Sequence, residues 1–219
     1  MFSNAMTLLI AKGIGETLYM TLVSTLVAYV FGLPLGLALV ATDKDGIFPF
    51  AGINQILGII INILRSIPFL ILMVLIIPLT RAITGTIIGS TATIVPLVIA
   101  AAPFIARLVE SSLKEVDHGI VEAAESMGAT PWEIMFKVLL PEAKPSLLVG
   151  SAIAVTTILS YSAMAGIIGG GGLGAIALNY GLYRYQKDIM IITVILLVII
   201  VQILQETGMK IAKRSDKRN

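Results

Sequence analysis

Cysteine is absent, histidine and tryptophan occur once each, and charged residues fill only 13% of the 219 positions. Without cysteine there is no disulfide framework and no thiolate metal site. A soluble domain carries about 25% charged residues; this chain carries far fewer, and 57% of it is hydrophobic, with a mean hydropathy of +0.98. No Gly-Lys dipeptide occurs, so there is no phosphate-binding loop. A net charge of +2 is too small and too dispersed for nucleic-acid binding. The single histidine, His118, reads as a solvated or loop-packing residue, and no metal-ligand cluster or Ser/His/Asp set can be assembled around it. Covalent chemistry and a bound cofactor are therefore not expected of this chain. The run Gly169-Gly170-Gly171-Gly172-Leu173-Gly174 formally matches Gly-x-Gly-x-x-Gly. That pattern binds dinucleotides only between a strand and a helix, and here it follows an apolar helix. It reads as a flexible turn where backbones approach closely.

What is present is long apolar sequence. A membrane span needs about 20 mostly apolar residues, and five segments qualify, at about 17–41, 53–79, 86–109, 146–168 and 189–209. The expectation is an all-α integral membrane protein of five transmembrane helices, forming a single domain over 1–219. The first 16 residues hold one basic residue, Lys12, and no small-residue cleavage site, so no removable signal peptide is expected.

Basic residues in the short loops set orientation. With five spans, the side of the C-terminus collects Lys44, Arg107, Lys114, Lys137, Lys144, Lys210, Lys213, Arg214, Lys217 and Arg218. The other side collects Lys12, Arg81, Arg184 and Lys187. This bias places the C-terminus and the loop at 110–145 in the cytoplasm, with the N-terminus outside.

That loop has a definite internal design. Asp117 is placed to N-cap a short helix over about 118–127, and Gly128 supplies the left-handed residue that ends it. Thr130-Pro131-Trp132-Glu133 forms a capping box with proline at the first helical position. The helix it opens is expected to run to about Leu140 and to be broken by Pro141 and Pro145. Trp132 and Phe136 read as hairpin or membrane-interface packing. Isolated helices of this length are marginal in water, so the pair needs a support. Acids outnumber bases across the loop, which suits a mildly basic partner surface.

Inside the spans, Ser24, Ala28, Gly32 and Gly36 recur every four residues, a stripe for close helix packing within the subunit. Pro34 within it invites a kink. In the second span, Asn62, Arg65, Ser66 and Pro68 fall near the middle, where charge is costly and marks a polar interior or a pathway. Arg65 either satisfies backbone freed by Pro68 or contacts a substrate carboxylate. In the fourth span, Ser160, Tyr161 and Ser162 put hydroxyls on a helix that continues through Met164, whose flexible side chain suits a movable plug. Packing is the competing reading for these residues.

The loop pattern Glu122-Ala123-Ala124-(x)3-Gly128-(x)9-Val138-Leu139-Leu140-Pro141 resembles the signature loop of bacterial ABC-importer permeases, with Val138 where isoleucine is usual. The segments Asn62-Ile-Leu-Arg65-Ser-Ile-Pro68, Ala102-Pro103-Phe104-Ile105-Ala106-Arg107 and Tyr161-Ser-Ala-Met164, followed by Gly171-Gly172-Leu173-Gly174, are similar to the methionine-uptake branch of those permeases. The resemblance implies a type I importer fold in the bacterial inner membrane. Two copies of the chain would form one path for L- and D-methionine. Two cytoplasmic ATPases binding ATP and Mg would grip the loop at Glu122, Ala123, Ala124, Gly128, Val138, Leu140 and Pro141. A lipid-anchored binding protein would deliver the substrate. Hydrolysis would belong to the partner, so the chain itself is not an enzyme.

Overall fold

The computed structural model describes residues 4–216, and every regular element among them is helical. Lys217 and Arg218, which contribute to the orientation count, lie outside the described residues. In order the helices are α1 (Asn4–Ala41), α2 (Ala51–Ser66), α3 (Phe69–Leu75), α4 (Ile77–Thr84), α5 (Ser90–Lys114), α6 (His118–Ser126), α7 (Pro131–Glu133), α8 (Leu140–Glu142), α9 (Lys144–Ala165), α10 (Gly172–Ile176) and α11 (Lys187–Ser215). A π-helical stretch, Ile134–Leu139, joins α7 to α8, a 3-10 turn follows α9, and a second π stretch, Ala177–Leu182, continues α10.

Among the described residues four stretches are long and apolar enough to cross a membrane: α1, α5, the run Lys144–Leu182 and α11. A fifth crossing requires α2 and α3 to be taken together, and these meet at a bend of 101°. The unbroken span expected over 53–79 is therefore not formed. Pro68 has no N–H to donate and pushes the preceding residue out of the helical region; it sits at φ −57, ψ 134 and starts α3 afresh. Arg65 does not reach the interrupted backbone. The Ser66 hydroxyl donates to Asn62 O at 2.7 Å, and Arg65 lies 6.0 Å from the centre of the Phe104 ring.

The chain forms two compact units. The first comprises residues 4–28, Ile67–Ala101 and Val155–Gln205. Its core gathers Leu173, Ile176 and Ile189, against which Leu9, Ile10 and Ile14 pack. Those contacts explain why α1 starts well before the expected residue 17: its first turns have an apolar surface to cover. The glycine run is a packing device. Gly169, Gly171 and Gly172 take positive φ. A Cβ on Gly166 would collide with the Ala175 backbone, and one on Gly174 with the Ala163 carbonyl.

The second unit comprises Tyr29–Ser66, Ala102–Ala154 and residues 206–216. Leu39, Ile61 and Ala106 form a buried cluster there. Within it the small-residue stripe does what its spacing predicts. A Cβ on Gly32 would lie 2.8 Å from the Ala102 carbonyl oxygen, and one on Gly36 2.6 Å from Val109 Cβ. α1 is continuous through Pro34.

Candidate functional site

The polar segment between α5 and α9 is built from local capping chemistry. The Asp117 carboxylate accepts the Gly119 N–H at 2.7 Å and opens α6. At the other end, Ala129 N–H donates to Ala124 O and Gly128 N–H to Glu125 O. Gly128 stands at φ +81, and this crossed pair of bonds is the Schellman arrangement that favours glycine. Thr130 then closes a capping box: its hydroxyl accepts from Glu133 N–H, and its own N–H donates to Glu133 Oε2 at 3.1 Å. Lys137 holds the other carboxylate oxygen at 2.8 Å. These bonds, the lysine's first and the two from Thr130 after it, draw the Glu133 carboxyl down to about 2.

The second helix does not stop near Leu140. It widens into π geometry over Ile134–Leu139 and passes through Pro141 to Glu142, with only Ala143 separating it from α9. Proline clashes with the carbonyl four residues back in an α-helix. The wider turn immediately before Pro141 relieves that crowding, and Pro145 sits in the first turn of α9, where no donor is needed.

α6 packs on the π stretch. Ala124, Ile134, Met135 and Leu139 are buried, whereas Glu122, Ala123, Gly128 and Pro141 are exposed and Val138 and Leu140 are half-buried. Glu122 pairs with His118 at 3.4 Å on the open face when the imidazole is protonated. Trp132 and Phe136 stack at 5.7 Å and Phe48 joins them at 6.1 Å. They nonetheless remain 65%, 50% and 46% exposed, and Met127 beyond them is 82% exposed. An apolar surface of this kind on a polar segment marks a contact area.

A charge relay runs along α5, the helix that leads into this segment. Arg107 Nη1 lies 2.6 Å from Glu110 Oε2, and its Nη2 donates to Asn62 Oδ1 at 2.9 Å and to Gly58 O. Lys114 bridges Glu110 at 3.0 Å and Asp43 at 2.6 Å. The Lys114 ammonium, and after it the Lys44 N–H, hold the Asp43 carboxyl below its ordinary value. This relay ties α2 and the α1–α2 loop to α5.

Residues 32–207 match the family described as "Binding-protein-dependent transport system inner membrane component". The chain belongs to that family. Among this family's members it is 53% identical over 203 residues to the probable D-methionine transport system permease protein MetI of Vibrio cholerae serotype O1, covering 93% of this chain and 90% of the relative. To the D-methionine transport system permease protein MetI of Escherichia coli strain K12 it is 49% identical over 164 residues, 75% of this chain and 76% of the relative. A crystal structure of the inward-facing MetNI methionine ABC transporter superposes with a TM-score of 0.97 at 46% identity, over 99% of this chain and 100% of that one. An amino acid ABC transporter crystallised with histidines shares the fold at a TM-score of 0.79 and 23% identity, over 98% of this chain and 100% of that one.

The inner membrane component places its pathway candidates differently from its loop. Glu122 to Pro141 lie together in one helical hairpin. Ser160 and Met164 share an exposed face of α9, Met164 at 44% exposure. Tyr161 stacks on Phe69 at 4.7 Å, with the rings nearly parallel. Ser162 does not join them: it is buried and donates to Leu159 O at 2.7 Å. Among the described residues no group of three or more His, Cys, Asp or Glu is placed to hold a metal. Sequence reading missed Phe48 and the Arg107–Glu110–Lys114–Asp43 relay. The i, i+3 and i, i+4 spacing of Arg107, Glu110 and Lys114 was the available signal for the relay.

Proposed function

We propose that this chain is the membrane-spanning subunit of an ATP-driven importer of methionine, forming its path as a homodimer. The observation that carries this reading is the near-complete superposition, at 46% identity, on a methionine ABC transporter. The names of the curated relatives point to the same substrate. Two cytoplasmic ATPases supply hydrolysis, with ATP and Mg bound in them, and an extracytoplasmic binding protein delivers substrate. The whole chain acts as one permease domain.

In this reading Glu122, Ala123, Ala124, Gly128, Val138, Leu140 and Pro141 form the coupling loop. Buried Ala124 fixes α6 to its support, exposed Ala123 lets a partner groove approach closely, and Glu122 offers charge to a basic rim. The Trp132–Phe136 stack widens the contact. ATP binding draws two such hairpins together and favours the outward-open path, and hydrolysis returns it inward; the solute must bind the two states unequally for this to work. Arg65, Ser160, Tyr161 and Met164 are proposed to line or gate the path, while Ser162 packs. The excess of basic residues on the C-terminal side supports a cytoplasmic C-terminus and an outer N-terminus.

The test is uptake of labelled methionine by cells whose only methionine importer is this complex, with unlabelled L-methionine, D-methionine, leucine and arginine as competitors. Competition by both methionine enantiomers alone is the predicted result. Competition by leucine or arginine at equal concentration overturns the substrate assignment.

A further inference from the structure

α2 ends on a charge that has no counter-charge. Arg65 is exposed, and its guanidinium makes no ion pair or hydrogen bond with another described residue; it lies over the Phe104 ring at 6.0 Å. The polar groups beside it are committed elsewhere. Ser66 donates to Asn62 O within its own helix, and the Asn62 side chain accepts from Arg107. Phe104 fixes the depth of the charge. It lies ten residues before Lys114 at the end of α5, about 15 Å along a helix axis. That is midway through a hydrocarbon layer about 30 Å thick. The guanidinium rests there instead of extending to the membrane surface, as arginines near helix ends do.

No other base among the described residues is placed this way. Arg107 is deep in α5 but is paired with Glu110. Arg81, Lys144, Lys187, Lys213 and Arg214 stand in the first or last turn of a helix, and Arg184 lies over Tyr180 before α11 starts. The missing anion is not supplied by the chain either. Of the acids in the long apolar helices, Glu16 caps Gly172 and pairs with Lys12, Glu110 holds Arg107 and Lys114, and Glu206 holds Lys210. Asp188 is in the first turn of α11. A second copy adds a second Arg65 and the same engaged acids. A charge at this depth needs a polar path or a partner, and the partner must then come from outside both copies.

We infer that Arg65 holds the free α-carboxylate of the amino acid in transit. Its planar fork takes a carboxylate through two parallel charge-assisted bonds, and the Phe104 ring supports the guanidinium from one face. The inference rests on the importer reading proposed above and adds to it the group of the solute that is recognised, the carboxylate rather than the side chain. Both enantiomers of an amino acid carry that group, so this contact admits L- and D-forms alike. It rejects amides and esters, which leave the arginine without its anion.

The test is photo-cross-linking of the assembled permease–ATPase complex with the diazirine analogue of methionine and with the uncharged carboxamide of that analogue. Mass spectrometry reads labelling on peptides of this chain, which separates it from any labelling of the ATPase. In the unaltered complex the carboxamide is predicted to label this chain about ten-fold less than the free acid, the usual worth of a charge-assisted hydrogen bond. R65Q is predicted to bring labelling by the free acid down to the carboxamide level, R65K to retain part of it, and the control R81Q, which loses the same charge elsewhere, to leave it unchanged. Equal labelling of the unaltered complex by acid and carboxamide overturns the proposal, and that comparison needs no variant to fold. So does R65Q labelled like the unaltered complex. Failure of R65Q and R65K alike to assemble with the ATPase assigns Arg65 a structural role and also overturns it. An unaltered complex whose permease chain takes no label from the free acid sinks the methionine-path reading itself, and this inference with it.

Discussion

Glu16 Oε2 accepts the backbone N–H of Gly172 at 2.7 Å, so a carboxylate on α1 caps the start of α10. Thr17 completes the cap by accepting the Leu173 N–H at 2.9 Å while donating to Gly13 O. α10 lacks a capping side chain of its own, because Gly171 occupies the N-cap position. The close approach also accounts for two glycines: a Cβ on Gly171 would meet Glu16, and one on Gly172 would meet Thr17 and Met20.

Removing that cap has a local signature. Glu16→Ala is predicted to destabilise the fold by about 1 kcal/mol, the usual cost of a lost N-cap, and to speed hydrogen exchange at the Gly172 amide. Glu16→Gln, which keeps an acceptor, retains most of the protection. Unchanged Gly172 exchange in Glu16→Ala contradicts the capping role.

The helix contact at Gly36 predicts a contrast between two glycines of α1. Gly36→Val is expected to cost about 1–3 kcal/mol by overpacking against Val109. Gly15, which has nothing within 4 Å of a built Cβ, accepts alanine with no loss of thermal stability. Melting temperatures of the two purified variants measure the difference.

Glu110 joins Arg107 to Lys114, and its side chain is only 12% exposed. Glu110→Ala leaves two cations without their shared partner, and breaking a buried ionic network costs about 3 kcal/mol. A melting-temperature fall in Glu110→Ala that adding Arg107→Ala does not deepen proportionately, read as a double-mutant cycle, is the expected outcome. Strictly additive losses refute the relay.

Gly128 at φ +81 and exposed Glu122 lead to separate failures of coupling. Gly128→Asp strains the left-handed position, and Glu122→Lys reverses the charge offered to the partner. Both are expected to insert normally, bind the ATPase less tightly in pull-down and transport several-fold more slowly. Normal transport in both removes the coupling assignment.

The capping box supplies a pH prediction. The Glu133 carboxyl is lowered from 4.5 to about 2, so its stabilising contribution is complete above the ordinary value and is lost as pH falls toward the lowered one. Protection of the Thr130 amide, corrected for intrinsic exchange, should hold from pH 7 to about 5 and decline below 4.5 in the native protein. In Glu133→Ala it is low throughout.

Asp117, Gly128, Thr130 and Glu133 were legible in sequence because caps act within a few residues of themselves. The apolar runs likewise declared an all-helical membrane protein. The 101° bend was not legible, since the run 53–79 is apolar on both sides of Pro68 and hydropathy carries no direction. Nor was the π stretch that carries the chain through Pro141, because proline ordinarily signals an ending. Glu16 and Gly172 stand 156 positions apart, and Asn62 and Arg107 45 apart; such bonds depend on the tertiary fold. The hydroxyls of α9 looked alike in sequence, yet Ser160 is exposed and Ser162 buried, a distinction set by which face of the helix packs.

The most direct measurement places the complete complex of this chain, its ATPase and its binding protein in liposomes. Labelled methionine is followed with ATP supplied only on the ATPase side or only on the other. Accumulation against a gradient with ATP on the ATPase side alone is the predicted result. Methionine movement that is indifferent to ATP, or ATP hydrolysis without accumulation, contradicts the account.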